Sequence, residues 1–106
     1  MQRALLNLAQ NAAQAAPDQG GRVRLGARAE GDTLIFEVED NGPGVPEDKR
    51  ELVFAPFFTT KQKGTGLGLA LVKRCVEHHR GTVAVAEAPG GGARFQVRLP
   101  GAVRAR

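Results

Sequence analysis

The chain has 106 residues, enough for a single domain, and carries 15 Lys+Arg against 11 Asp+Glu for a net charge of +4. Its 14 glycines, about 13% against a usual ~7%, follow no triplet period, and its 42% hydrophobic residues fall in periodic blocks, so collagen-like and low-complexity chains are both excluded. No apolar run nears the ~20 residues that span a bilayer, nothing at the N-terminus reads as a signal peptide, and one cysteine excludes an internal disulfide framework and fits a reducing cytosol.

In chain order, Leu5, Leu8, Ala12 and Ala15 or Ala16 recur at three- and four-residue steps and predict a helix over residues 2–16. Residues 17–21, Pro-Asp-Gln-Gly-Gly, stop it, and no capping residue marks its start. Val23, Leu25, Ala27 and Ala29 then alternate with Arg22, Arg24 and Arg28, a strand with one wet face. After a turn at residues 30–32, Leu34, Phe36 and Val38 alternate through a second strand that completes a hairpin. Pro46 begins a short turn of helix at 47–52, with acidic residues at its positive end. Residues 54–66 have no clear period and read as a mobile loop. A helix follows over 67–80, with Leu67, Leu71, Cys75 and Val76 as its inner stripe and Gly81 as its terminator. Val83, Val85 and Glu87, then Phe95, Val97 and Leu99, form a second hairpin around residues 89–92. The order predicts a two-layer α/β sandwich, one sheet covered on one face by helices.

The basic balance raises nucleic acid as a partner, but the arginines are dispersed and the five phenylalanines are not interleaved with them as a stacking platform requires. Solvated sheet and helix faces account for this charge, and attraction for a smaller polyanion stays open.

Four stretches carry chemistry. Asn7, Asn11 and Gln14 line one face of the first helix, either as solvated amides or as neutral oxygen ligands for a hard cation such as Mg²⁺. Asp40-Asn41-Gly42-Pro43-Gly44 is either a plain turn or a carboxylate aimed at an exocyclic amine, with glycines admitting a flat ring. Residues 61–69, Lys-Gln-Lys-Gly-Thr-Gly-Leu-Gly-Leu, run a glycine-rich turn into a helix, an anion site or a flexible loop before a capped helix. The lysines precede the glycines and the spacing is GxGxG, so it is neither a P-loop nor a dinucleotide fingerprint. His78 and His79 end the second helix, where cations favour its dipole, and Cys75 reads as a small buried hydrophobe.

Together, Asn-Leu-Ala-Gln-Asn-Ala (7–12), Asp-Asn-Gly-Pro-Gly-Val (40–45), Phe-Ala-Pro-Phe-Phe-Thr-Thr-Lys (54–61) and Gly-Thr-Gly-Leu-Gly-Leu (64–69) resemble the N, G1, F and G2 boxes of the catalytic ATP-binding domain of sensor histidine kinases. The short lid is most similar to the nitrogen-regulation type, and the resemblance spans residues 2–99. It implies a Bergerat-type sandwich with a mixed sheet, binding Mg-ATP between the helices and a lid at 54–66. Asn11 is then the Mg²⁺ ligand, with Asn7 beside it near the phosphates. Asp40 accepts from the adenine amine, and Gly42, Gly44 and Val45 shape the adenine pocket. Phe54, Phe57 and Phe58 anchor the lid, with Thr60 in the same box. Lys61 reaches the phosphates, and Gly64, Thr65, Gly66, Leu67 and Gly68 line them.

Gln14 stands where many relatives have Lys or Arg. Gyrase-, Hsp90- and mismatch-repair-type ATPases and anti-sigma serine kinases carry a Glu at the position of Asn7, a general base for water or serine. A histidine is largely neutral and already nucleophilic at pH 7, so Asn7 points to a histidine acceptor. Those ATPases and serine kinases remain the alternative, as does a nucleotide-binding module inactive in isolation. The resemblance further implies a domain shortened at its N-terminus, lacking its first strand and the phosphoacceptor helices, with an edge prone to self-association. Implied partners are a separate histidine phosphoacceptor domain and a downstream response regulator, with no nucleic acid and no membrane contact by this domain. The setting is cytoplasmic, in a parent kinase that membrane anchoring would suit.

Overall fold

The computed structural model describes residues 2–55 and 68–101, with side chains from residue 4 onward. The opening apolar period becomes α1 (Gln2–Ala15), ended where the approach to Pro17 disfavours helical backbone. β1 (Val23–Glu30) and β2 (Thr33–Asp40) make the first hairpin. Two 3₁₀ turns, Glu47–Lys49 and Leu52–Phe54, replace the single helical turn expected at 47–52, because i→i+3 bonds close stretches too short for an α turn. α2 (Gly68–His78), β3 (Thr82–Glu87) and β4 (Ala93–Leu99) complete the chain.

The strands lie in the order β1-β2-β4-β3. The two-layer sandwich is as the pattern predicts, but the described ladders are all antiparallel rather than mixed. Two tight hairpins impose this on their own strands, and the central β2–β4 ladder brings Leu34 against Leu99 and Val38 against Phe95. On the helix face Leu8, Val72, Val76 and Val97 are fully buried, each contributing about 1.5–3 kcal/mol.

Two expectations about burial change. α2 turns Val72 and Val76 inward, leaves Cys75 half-buried and exposes Leu71 at 51%. Lys73, Arg74, Glu77 and His78 mark its wet face, but the apolar residues span more of the remaining arc than the core covers, and Leu71 falls outside it. β1 has no covered face: each of its residues is exposed, Leu25 at 65%.

The opposite face of the sheet carries four of the arginines, Arg24, Arg28, Arg94 and Arg98. Arg28 lies 3.2 Å from Glu37 and 3.1 Å from Glu30, and Arg98 lies 3.5 Å from Glu30. Ile35 pairs with Arg28 on one side and Arg98 on the other and is fully buried. Arg24 and Arg94 both approach Glu39 at 3.9 Å. The face thus pairs Arg24, Arg28, Arg94 and Arg98 with Glu30, Glu37 and Glu39.

α2 ends in a six-residue capping loop. Gly81 N–H donates to Val76 O at 2.8 Å and Arg80 N–H to Glu77 O at 2.9 Å, the paired bonds of a Schellman motif. The left-handed position belongs to Arg80, at φ +63°, and not to Gly81. Gly81 is required for a different reason, since a Cβ there would fall on the Arg98 carbonyl. His79 Nδ1 lies 2.9 Å from the Cys75 carbonyl, in keeping with a role at the helix end.

Candidate functional site

Alternation along β2 places Leu34, Phe36, Val38 and then Asp40 on the helix face, so a carboxylate occupies what would be the next core position. Asp40 is 5% exposed. Such burial is costly unless the charge is partnered. Oδ1 accepts the Gly42 N–H at 2.9 Å and the Ala93 N–H at 3.3 Å. Oδ2 is buried and has no hydrogen-bond partner among the described residues. An orphaned carboxylate oxygen beside a satisfied one is an acceptor held ready for an external donor, and an exocyclic amine fits it.

The backbone around this acid is pressed close. A Cβ on Gly42 would fall on the Ala15 carbonyl at the end of α1, and one on Gly92 would fall on the Asp40 carbonyl. Gly44, at φ +78°, lies against Gly92. The turn after β2 is therefore wedged between the end of α1 and the β3–β4 turn, with bare backbone on both sides. Val45 follows, half-buried against the core, and its carbonyl accepts from Arg50 Nε at 3.2 Å.

Asn7 and Asn11 stand half-buried at the rim of α1, beside the core positions Ala4, Leu8 and Ala12, while Gln14 is exposed. Asn11 is four residues before Ala15, about 6 Å along the axis, so its helix face and the Asp40 corner are neighbours. Phe54 is buried, with its ring edge-on to Phe95 at 6.0 Å and Lys73 Nζ 6.0 Å from its centroid. The segment after residue 55, through 67, lies outside the described residues. Gly68 opens α2 and is half-buried. Phe57, Phe58, Thr60, Lys61, Gly64, Thr65, Gly66 and Leu67 lie outside the described residues.

Four site residues had no signal of their own in the sequence. Gly92 and Ala93 support Asp40 from a remote hairpin, and Arg50 secures the Val45 carbonyl. Asn41 bonds to Gly20 and Arg22; its place between Asp40 and Gly42 was the only hint.

Known proteins share the family and fold. Residues 1–103 match the family model described as histidine kinase-, DNA gyrase B-, and HSP90-like ATPase. The chain is 46% identical over 106 residues to the sensor histidine kinase TmoS of Ectopseudomonas mendocina, covering 93% of this chain and 11% of that protein. Among solved structures, full-length ShkA in complex with AMPPNP superposes with a TM-score of 0.80 at 38% identity, over 92% of this chain and 20% of that one. Histidine kinase ThkA in complex with the response regulator protein TrrA gives 0.79 at 30% identity, over 98% of this chain and 29% of that one. The chain thus spans a small part of each relative's length. No helix among the described residues is long and apolar enough to cross a membrane.

Proposed function

Because the chain belongs to the histidine kinase-, DNA gyrase B- and HSP90-like ATPase family, we propose that it is the cytoplasmic ATP-binding part of a sensor histidine kinase, presenting the γ-phosphoryl of Mg-ATP to a histidine on a separate domain. The observation that carries this is Asp40 Oδ2, buried and without a hydrogen-bond partner among the described residues, beside the glycine turn. Oδ2 accepts from the adenine amine. Gly42 and Gly44 let the base lie against the backbone, and Phe54 secures the lid's first turn.

The donor set of α1 fits a hard cation. Asn11 holds Mg²⁺ through its amide oxygen, with Asn7 near the phosphates. Mg²⁺ when bound neutralises charge on the phosphoryl oxygens. Lys61 and the residues at Gly64, Thr65, Gly66, Leu67 and Gly68 hold the phosphates, and Phe58 and Thr60 belong to the same box as Phe54. This chain contributes positioning and charge and no base, because Asn7 cannot take a proton. A neutral imidazole needs none, and the amide at position 7 favours a histidine acceptor over water or serine. The partners are the phosphoacceptor domain of the same kinase and, downstream, a response regulator, as ThkA binds TrrA.

The edge of β1 supports one more partner, a second copy of this chain. Val23 and Leu25 are exposed there, and nothing among the described residues pairs with the outer side of the strand. An antiparallel pairing centred on Ala27 sets Arg24 of each copy opposite Glu30 of the other. A shift of two residues either way sets arginine against arginine.

Calorimetric titration with Mg-ATP tests the main reading. Wild type binds, Asn11→Ala loses the Mg²⁺ dependence, and transfer of phosphate to a supplied phosphoacceptor domain follows. Absence of binding by wild type overturns it.

A further inference from the structure

The β1–β2 ladder ends at the pair Val23 and Asp40. One residue further, a side chain continues it. Asn41 Oδ1 accepts the Arg22 N–H at 2.7 Å, and Asn41 Nδ2 donates to the Gly20 carbonyl at 2.8 Å. One planar carboxamide thus meets both a donor and an acceptor of the loop between α1 and β1. Both bonds are shorter than the usual ~2.9–3.0 Å for N–H···O.

Asp40, Asn41 and Gly42 divide the surroundings among them. Asp40 Oδ1 grips the start of β4 through the Ala93 N–H. Asn41 grips the α1–β1 loop. Gly42 rests on the last carbonyl of α1, at Ala15. Asn11 lies about one helical turn before Ala15 and Asn7 about two. The same helix end that Gly42 seats and Asn41 ties down therefore carries both amides at a fixed reach from Asp40.

We propose that Asn41 is a positioning residue of the nucleotide site. By pinning the α1–β1 loop it sets the position of α1 along its axis, and so the span between Asp40 Oδ2, which takes the base, and Asn7 and Asn11, which take the metal and phosphates. The proposal rests on the nucleotide reading above and adds a residue that touches neither base nor phosphate. Asparagine suits the task because its short side chain carries both donor and acceptor; aspartate lacks the donor and alanine lacks both.

The test compares two ligands on the whole 106-residue chain. Adenosine reports the base contact alone, whereas Mg-ATP needs base and metal gripped together. NMR titration of Asn41→Ala is expected to show Mg-ATP weakened about tenfold, equivalent to ~1.4 kcal/mol, with adenosine affinity held within about twofold. Asn41→Asp, which keeps the acceptor for Arg22 and loses the donor to Gly20, falls between, and carries the test if Asn41→Ala does not fold. In an Asn11→Ala background the Mg-ATP penalty of Asn41→Ala disappears, since the residue acts through that amide. Equal loss of both ligands in a folded variant, or loss of neither, overturns the proposal. A wild-type chain that binds neither ligand overturns the nucleotide reading itself, and the proposal falls with it.

Discussion

Asp40 and Ala93 are 53 residues apart in sequence, yet the Ala93 N–H donates to Asp40 Oδ1 at 3.3 Å inside the protein. That bond, with the one from the Gly42 N–H, occupies Oδ1 and leaves Oδ2 without a partner among the described residues. In Asp40→Asn the Oδ1 acceptor survives while an NH₂ replaces Oδ2, so a donor meets the donor of the base. Adenine nucleotide affinity is expected to fall about 10²-fold, or ~2.7 kcal/mol. The preference of wild type for Mg-ATP over Mg-ITP, which lacks the exocyclic amine, should narrow or reverse. Competitive titration measures both. An unchanged preference would remove Asp40 from base recognition.

The end of α2 offers a stabilising change. Arg80 holds a left-handed conformation at φ +63° with its side chain exposed. Glycine there should raise stability by about 1 kcal/mol, since the capping bonds are made by backbone and only the Cβ penalty disappears. A domain of this size then melts roughly 4–8 °C higher. Gly81→Ala does the reverse, forcing a methyl onto the Arg98 carbonyl and costing about 1–3 kcal/mol. Thermal melts followed by circular dichroism separate the two.

Acid sensitivity has a local source on the open sheet face. Gln96 Nε2 donates to Glu37 Oε2 at 2.7 Å, and Arg28 lies 3.2 Å from Oε1. The bond from Gln96, followed by that from Arg28, holds the Glu37 carboxyl below its ordinary 4.5, while desolvation opposes them. A carboxyl depressed by folding contributes stability above its unfolded value and loses it as pH falls through the lower, folded one. Denaturant melts should therefore weaken below about pH 4.5, and Glu37→Gln should flatten that limb. An identical pH slope in the variant would remove Glu37 as the cause.

For the β1 edge, sedimentation velocity is the measurement. Wild type is expected to dimerise with rising concentration. Leu25→Lys, a charge on the exposed edge, should keep the chain monomeric without lowering its melting temperature. Arg24→Glu should weaken pairing, and adding Glu30→Arg should restore it by re-creating the opposite-charge register. A wild-type chain that stays monomeric throughout defeats the self-pairing.

The sequence disclosed the elements and the acid of the candidate site because both are local. Alternation through Leu34, Phe36 and Val38 ends on Asp40, and a glycine turn follows at once, so strand, acid and turn are read from one window. What supports that acid was not legible. Nothing near Ala93 or Gly92 signals that they meet Asp40, because their pairing depends on how two hairpins register across the sheet. The phase of α2 was missed for a different reason: Leu69, Ala70, Leu71 and Val72 are consecutive apolar residues, and only packing against α1 and the sheet selects Val72. Arg80 was missed because a glycine next to it offered the commoner explanation for the turn.

The β2–β4 ladder joins Leu34 to Leu99, so the two halves of the chain must meet before the sheet exists. Loop-closure entropy is spent on that meeting before its contacts repay it, which places it among the slower events of folding. The Asp40 corner takes one support from β4 and another from the end of α1, and it is complete only in the native chain. A ligand held at that corner accordingly binds the folded state alone and stabilises it by RT ln(1 + [L]/Kd), about 2.7 kcal/mol at a hundredfold excess over Kd. Such a ligand acts as a clasp between the beginning and the end of the chain, and thermal melting of the whole domain becomes a direct measure of its occupancy.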